Sequence, residues 1–424
     1  MFPKRKGEVQ RLGLVDPAAA VVIAFCFLAV MLYKRLNLGI TLNATAVILA
    51  VLALDWQKIP ETVYATTTDV FKVSVVLATF AIMLLSQLYK ETRFVNRLSE
   101  NLSRIIKNPK IVLSLLPAVI GLLPVAGGAL MSAPLVDSEA EKLKLKPTKK
   151  AYVNLWFRHK IFPVYPLSQV VIAAASLAAV TVPSIILRQI PVVAVMVIVG
   201  YVIGFWKTPS LKTEKRDAEA KLNSSVRNFL VAFSPILASI IVVVSLGIVN
   251  PNLSTLGVDV LAATIIGLIV LVGISKPTSQ VMAKSLRSWG IYGITFAAYG
   301  AFLLGKVITD SGVSKIFESL VAGGTVDVVV LLTVIPAVLG ALTASALGGV
   351  LISIPILSSV VVLSPRTVSL IYMSAYLGYV ISPTHLCFTF TAEYFKCHLG
   401  KIYKYVIPSF VVTFTTALLI YFFV

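Results

Sequence analysis

Two stretches rich in glycine, proline and serine carry the residues of this chain best suited to bind an ion or a small solute. LPAVIGLLPVAGGALMSAPL (116–135) and IPAVLGALTASALGGVLISIPI (335–356) share the frame P-A-V-[I/L]-G-x-L followed by G-G-x-L-x-S-x-P. Breaks in an apolar helix free backbone N–H groups, which attract anions, and carbonyl groups, which bind Na⁺. The alternative is that the glycines only allow close helix packing. Because the frame occurs twice, we favour a binding site that includes Gly127, Gly128, Ser132, Thr343, Ser345, Gly348, Gly349 and Ser353.

Prolines interrupt the apolar run that follows each of these stretches. WFRHKIFPVYPLSQ (156–169) contains two such prolines and YVISPTHLCF (379–388) contains one. Ionisable side chains inside a membrane are costly and usually functional, although arginine and lysine can snorkel to the interface. For the histidines the alternative is a hydrogen-bonded structural role, and His385 is the stronger candidate for the solute site or a proton relay. The candidates at these breaks are Arg158, His159, Ser382, Pro383, Thr384 and His385.

The acidic residues and the cysteines exclude several kinds of chemistry. The 18 acidic residues lie in loops and at the ends of apolar runs, which disfavours a proton antiporter with a buried carboxylate pair. Coupling to Na⁺ or to a histidine proton fits better. No cofactor and no metal site are predicted, because Cys26, Cys387 and Cys397 are too far apart for a C-x-x-C pattern. The sequence also lacks G-x-x-x-x-G-K-[ST] and H-E-x-x-H, and we do not expect an enzyme.

The elements that position these residues are membrane spans. Hydrophobic residues make up 58% of the 424, charged residues 13%, and the mean hydropathy is +0.93. Runs of roughly 20 apolar residues have the length that crosses a hydrocarbon core. The fold class predicted is an all-α polytopic membrane protein with ten spans, near 15–33, 37–55, 68–89, 151–180, 182–206, 226–250, 256–275, 287–308, 367–392 and 403–424.

The two repeated stretches are predicted to be re-entrant hairpins, at 110–136 and 326–362, because each carries helix breakers at mid-length. Each half then has five spans and one hairpin, and an odd number of spans makes the second half inverted. The first repeat is 1–206, a linker covers 207–225, and the second repeat is 226–424. Amphipathic helices at 92–108 and 313–320 are expected in the interface plane. These pieces would join a fixed part of the protein to a moving part.

Basic residues predict the orientation. The chain has 37 Lys and Arg and a net charge of +19, and roughly two thirds of the basic residues fall in loops on one predicted side. That side is assigned to the cytoplasm of a multi-pass cell-membrane protein, which places both termini outside, the first hairpin on the cytoplasmic side and the second on the outer side. The spread of charge over membrane loops favours contact with anionic lipid and disfavours nucleic-acid binding.

The strings LLPVAGGALMSAPLVD, NLWFRHKIFPVYP and LGYVISPTHLCF resemble a prokaryotic integral-membrane family defined only by a domain of unknown function. With its hairpins and broken spans, the chain resembles the wider ion transporter superfamily, which includes divalent-anion/Na⁺ symporters and the arsenite, citrate and gluconate permeases. The resemblance implies an elevator mechanism with a scaffold that dimerises. Both hairpin tips lack the Ser-Asn-Thr motif of the dicarboxylate symporters, having PVAGGAL and TASALGG instead, so dicarboxylate specificity is not implied.

These observations predict a secondary transporter that moves a small solute, most simply an organic anion, coupled to Na⁺ or H⁺. The first alternative is a membrane-embedded enzyme acting on lipid-linked substrates, which would need acidic or metal-binding side chains clustered at one membrane face. The second is a channel or a scaffold subunit, which single-channel currents or the assembly of a partner would reveal. Neither alternative accounts for breaks that occur in both halves.

Overall fold

The computed structural model describes residues 14–34, 36–106, 108–122, 128–208, 219–250, 253, 256–312, 327–383 and 385–424. Within these ranges the chain forms helices and connecting turns, and no strand occurs. The predicted all-α fold class is confirmed. Gly127, Thr384 and the predicted amphipathic helix 313–320 lie outside the described residues.

Nineteen α-helices lie within the described ranges. In the first half they are α1 Pro17–Tyr33, α2 Leu38–Ala53, α3 Lys58–Thr67, α4 Val70–Glu91, α5 Phe94–Ile105, α6 Pro109–Gly121, α7 Gly128–Lys142, α8 Pro147–His159, α9 Gln169–Leu177 and α10 Val182–Phe205. In the second half they are α11 Glu219–Val249, α12 Val258–Ser275, α13 Ser279–Leu286, α14 Trp289–Asp310, α15 Val328–Leu342, α16 Ala346–Leu357, α17 Pro365–Ile381, α18 Leu386–Tyr394 and α19 Leu399–Phe423.

Apolar length supports a multi-pass membrane protein. Among the described residues, seven segments are long and apolar enough to cross a membrane: Val70–Glu91, Pro147–Leu177, Val182–Phe205, Leu222–Val249, Val258–Ser275, Trp289–Asp310 and Leu399–Phe423. Helices α1 and α2 are apolar but have only 17 and 16 residues. Every predicted span contains a helix, while the number ten stays a prediction.

Both predicted broken spans are interrupted. Helix α8 ends at His159, and a short 3-10 turn, Phe162–Val164, precedes α9. Helix α17 ends at Ile381, and Pro383 lies in the gap before α18. A proline cannot donate the helical hydrogen bond, and it disfavours the helical conformation of the residue before it. The prolines therefore end each span partway and leave a short helix on either side.

The two hairpin stretches fold as helix pairs, α6 with α7 and α15 with α16. The internal prolines do not end these helices, because Pro117, Pro134, Pro336 and Pro355 all lie inside them. In the second hairpin the chain turns at Ala344, which has a positive φ of 50°. That conformation is unfavourable for a residue with a Cβ, so the turn is held by its neighbours. Entry and exit on the same side of the membrane stays a prediction.

The order and packing of the helices repeat between the halves. Helices α4 and α14 each have 22 residues, and their starts, Val70 and Trp289, are separated by the same number of positions as the starts of α6 and α15, Pro109 and Val328. The packing is reciprocal: α4 contacts α12 while α14 contacts α2, and α7 contacts α18 while α16 contacts α9. The contacts thus correspond between the two halves, and the inverted arrangement of the repeats stays a prediction.

Short helices connect the longer ones. The predicted amphipathic helix at 92–108 is present as α5, whose apolar face is formed by the buried Phe94, Val95, Leu98 and Leu102. The short helices α3 and α13 were not predicted, because each has few apolar residues. Helix α3 is fixed to α14 by a hydrogen bond of 2.8 Å from the Thr62 hydroxyl to Asp310.

Candidate functional site

The two broken spans meet at a cluster of aromatic rings. The centroids of the His159 and His385 rings lie 4.8 Å apart, and the Tyr379 ring lies 3.9 Å from His385 and 5.5 Å from His159. His159 comes from the end of α8, Tyr379 from the last turns of α17, and His385 from the position just before α18. The breaks therefore bring together two histidines that are far apart in the sequence.

The hydrogen bonds of His159 define the state of its ring. Its Nδ1 lies 2.6 Å from the Leu155 carbonyl oxygen, which can only accept, so Nδ1 carries the proton. Its Nε2 is then an acceptor and lies 3.2 Å from the Tyr379 hydroxyl, which donates to it. The Tyr376 hydroxyl donates to the His159 carbonyl and satisfies a group that the helix end leaves free.

The ring of His385 is buried and has little hydrogen bonding. Its side chain is 2% exposed, and among the described residues neither ring nitrogen has a partner in good hydrogen-bond geometry, although the Val380 backbone interacts with the ring. Buried polar groups are nearly always paired, so an unpaired imidazole indicates a ligand or an ion that the ring receives. Together with the Sγ atom of Cys387, one nitrogen from each histidine forms a group of donor atoms within 4.8 Å of one another.

Arg158 supplies positive charge to the same cluster. It is 2% exposed, its Nε and Nη1 atoms have no hydrogen-bond partner, and its charge acts on both histidine rings. Lys160 is also buried, with its ammonium group 4.4 Å from the centre of the Phe157 ring. Neither side chain extends to the surface of the protein, as snorkelling to water would require.

Ser132 of the first hairpin belongs to a different polar group. Its hydroxyl lies 2.6 Å from the Asn154 Oδ1 atom, and the Asn154 amide donates to the Ala129 carbonyl (3.0 Å) and the Thr391 hydroxyl (3.2 Å). This buried network joins α7, α8 and α18. Gly128 is the first residue of α7.

The hydroxyl groups of the second hairpin are used within it. The Thr343 hydroxyl donates to the Leu339 carbonyl at 2.7 Å, and the Ser345 hydroxyl accepts from the Gly348 N–H at 3.2 Å as the cap of α16. The Ser353 hydroxyl bonds to the Gly349 carbonyl at 2.5 Å. These bonds are local caps and turns, and they leave less capacity for a ligand than their sequence suggests.

Glycines of the hairpins allow close backbone contact with the broken spans. A Cβ atom at Gly121 would overlap the Arg158 carbonyl oxygen, and one at Gly340 would overlap the Ala375 carbonyl oxygen. A Cβ at Gly349 would come within 2.9 Å of the Ala375 Cβ. Close packing thus accounts for these glycines. It also fixes the first hairpin directly against Arg158.

Ser382 and Gln169 complete the surroundings of the breaks. The Ser382 hydroxyl donates to the Ala341 carbonyl at 2.8 Å, which ties the second break to the second hairpin. Gln169 follows the first break, and its buried Nε2 has no partner. It lines a small cavity of about 10 Å³ between α4, α9, α14 and α16, together with Thr79 and Phe302.

Sequence reasoning identified Arg158, His159 and His385 but missed Tyr379, Cys387 and the Asn154–Thr391 pair. Tyr379 and Cys387 lie within the string YVISPTHLCF, beside the proline that marks the break. Their proximity to His159 could not be read from that string, because His159 belongs to the other half of the chain.

The chain matches the family described as "Protein of unknown function (DUF401)" over residues 18–424 and belongs to that family. No functionally curated protein matches it in sequence. In fold it is similar to the YdaH transporter of Alcanivorax borkumensis, with a TM-score of 0.63, 14% identity and coverage of 95% of this chain and 97% of that one. It is also similar to MtrF of Neisseria gonorrhoeae, described with a class of antimetabolite efflux pumps, with a TM-score of 0.54, 11% identity and coverage of 95% and 94%.

Proposed function

We propose that this protein is a secondary active transporter of a small organic anion, coupled to Na⁺ or H⁺. The observation that carries the proposal is Arg158, a buried guanidinium with two unpartnered nitrogens where the broken spans meet. An uncompensated buried charge is strongly unfavourable, and an anion is the natural compensation. A guanidinium binds a carboxylate through two parallel hydrogen bonds, which gives both affinity and orientation.

The histidines extend this site. The unpaired ring of His385 offers a further donor to a carboxylate or a hydroxyl of the solute, and its ring interacts electrostatically with Arg158 and His159. Protonation of an imidazole would supply H⁺ coupling without a carboxylate. Backbone carbonyls at the broken helix ends would instead supply Na⁺ coupling.

The fold supports transport by alternating access. Both similar structures are described as transporters, although sequence identities of 14% and 11% limit that likeness to the fold. One group of contacts joins α4 to α12 and α14 to α2, and another joins the hairpins to the broken spans. We assign the first group to a dimerising scaffold and the second to a moving part, as the resemblance to the ion transporter superfamily implies.

The boundary between these two groups passes the small cavity beside Gln169. The cavity lies between α4 and α14 on one side and α9 and α16 on the other. We place the protein in the cell membrane as a homodimer, with its basic loops in the cytoplasm and both termini outside.

Uptake by the purified protein in liposomes tests the proposal. A panel of mono- and dicarboxylates is offered with a Na⁺ gradient, an H⁺ gradient or neither, so that the coupling ion is identified in the same assay. Arg158→Gln should reduce gradient-driven uptake about 10–100-fold through the loss of charge-assisted hydrogen bonds. The matched control is Arg97→Gln, since Arg97 lies on the exposed face of α5.

Two results would count against the proposal. The first is uptake by the Arg158→Gln variant at the wild-type rate and concentration dependence. The second is a gradient-independent current through the wild-type protein, which would indicate a channel.

A further inference from the structure

We propose that His159, His385 and Cys387 form a binding site for a soft monovalent metal ion of the Cu(I) class. Among the described residues, these three side chains place one donor atom each within 4.8 Å of one another, and all three are buried. The inference goes beyond anion transport and does not rest on it, because an ion can bind here whether or not the protein moves a solute. It differs from the expectation drawn from cysteine spacing, since the donors come from opposite halves of the chain.

The ring of His159 is oriented as a metal ligand would be. Its Nδ1–H donates to the Leu155 carbonyl, which fixes the tautomer and leaves the lone pair of Nε2 facing the cluster. A bond from the second ring nitrogen to a backbone carbonyl is the usual support of a metal-binding histidine. The Tyr379 hydroxyl donates to this lone pair at 3.2 Å, and a metal ion would take the place of that hydroxyl.

The ring of His385 has bonding capacity that the described residues leave open, apart from an interaction with the Val380 backbone. It is 2% exposed and both of its ring nitrogens are unpaired, although its neighbours His159 and Tyr379 share a hydrogen bond. An apolar residue would fill this position without an unsatisfied group. A metal ion bonded to one ring nitrogen would account for the imidazole.

Cys387 supplies the third donor. It is 8% exposed and lies in the first turn of α18, next to His385 in the chain fold. On binding, the thiol proton leaves to solvent and a sulfur–metal bond forms, with no change in oxidation state.

Charge and donor type select the ion. A thiolate with two imidazoles is a soft donor set, typical of copper and zinc sites. A monovalent ion with one thiolate forms a neutral complex, whereas a divalent ion would leave a positive charge beside Arg158, whose own charge already acts on both rings. Zinc would need a fourth ligand, such as water, beside these three donors, whereas three donors complete the shell of a trigonal monovalent ion.

The distances are close to those required. Three donors around one ion, at bond lengths of about 2.0–2.3 Å, lie roughly 3.5–4 Å from each other. The donor atoms lie within 4.8 Å of one another, so their separations must shorten by about 1 Å on binding. Side-chain rotation can supply this.

Titration of the full-length protein in detergent tests the proposal. Ag(I) serves as a redox-inert probe, and Cu(I) is added anaerobically in competition with a chromophoric chelator. We expect one tightly bound ion per chain. Cys387→Ala and His385→Gln should each weaken binding at least about 100-fold, since each removes a direct ligand. Cys397→Ala is the matched control, because Cys397 is a half-buried free cysteine that is not one of the three donors.

Wild-type affinity in Cys387→Ala, or an equal loss in Cys397→Ala, would overturn the proposal. X-ray absorption of the wild-type protein loaded with Cu(I) needs no variant and so remains decisive if a variant fails to fold. One sulfur and two nitrogen neighbours support the site, and a shell of sulfur alone overturns it. Neither measurement uses transport, so failure here leaves the anion proposal to its own uptake assay.

Discussion

The two broken spans have the same backbone plan and different chemistry. In each, a helix ends early, a proline follows, and a short helix resumes. The first break contributes a charged guanidinium, Arg158, and a histidine whose hydrogen bonds are satisfied. The second contributes His385, whose ring is unpaired, and the thiol of Cys387. The comparison shows that both breaks interrupt a helix at a proline, while the side chains beside each break differ.

The largest predicted effect tests whether the backbone plan is shared. Gly121→Ala and Gly340→Ala each push a Cβ into a carbonyl oxygen of the following broken span, so each should lower the free energy of unfolding by about 3 kcal/mol. Denaturation of the detergent-solubilised protein measures this. Gly273→Ala is the control, because no atom lies within 4 Å of its added Cβ, and it should be neutral or stabilising by up to about 1 kcal/mol. A large loss in only one half would show that the hairpins are held differently.

An intermediate effect is predicted for a feature seen in the first half. Asn154→Leu removes the three buried hydrogen bonds that Asn154 makes with Ser132, Ala129 and Thr391, at a cost of about 2 kcal/mol. The comparison is Met373, a buried apolar residue of α17, and Met373→Leu should cost less than about 1.5 kcal/mol. Equal losses of unfolding free energy for the two variants would contradict the asymmetry.

The smallest effect separates the two histidines. His159→Leu removes the bonds to Leu155 and Tyr379 and should destabilise the protein by about 1 kcal/mol. His385→Leu removes no hydrogen bond and should change the unfolding free energy by less than about 1 kcal/mol in either direction. Both are measured by denaturant titration in the presence of a chelator. A larger loss for His385→Leu than for His159→Leu would mean that His385 has a structural partner.

The sequence predicted the breaks well because proline and glycine act locally. Pro163 and Pro383 remove helical hydrogen bonds wherever the chain places them, so both gaps could be located in advance. The same locality bears on Thr343 and Ser345, whose role in binding stays a prediction. Their hydroxyls were predicted as ligands, yet a hydroxyl beside a helix end bonds first to the nearest free backbone group.

The cluster itself could be predicted only in part. Arg158, His159 and His385 stood out because ionisable residues are rare in apolar runs. Cys387 and Asn154 did not, because a buried thiol is usually a small apolar filler and an asparagine carries no charge. Their roles depend on contacts between α8 and α18, and those contacts follow from the reciprocal packing of the halves rather than from any local pattern.

The hydrogen bonds around Asn154 also oppose movement of α7 away from α8. Separating α7 from α8 would break two buried hydrogen bonds, from Ser132 to Asn154 and from Asn154 to Ala129, while the bond from Asn154 to Thr391 keeps α8 joined to α18. At roughly 0.5–1.5 kcal/mol net for each bond, the unbroken arrangement is favoured by about five-fold to 150-fold. These bonds hold the first hairpin against α8. Moving the hairpin away therefore needs a ligand or a partner that replaces those bonds.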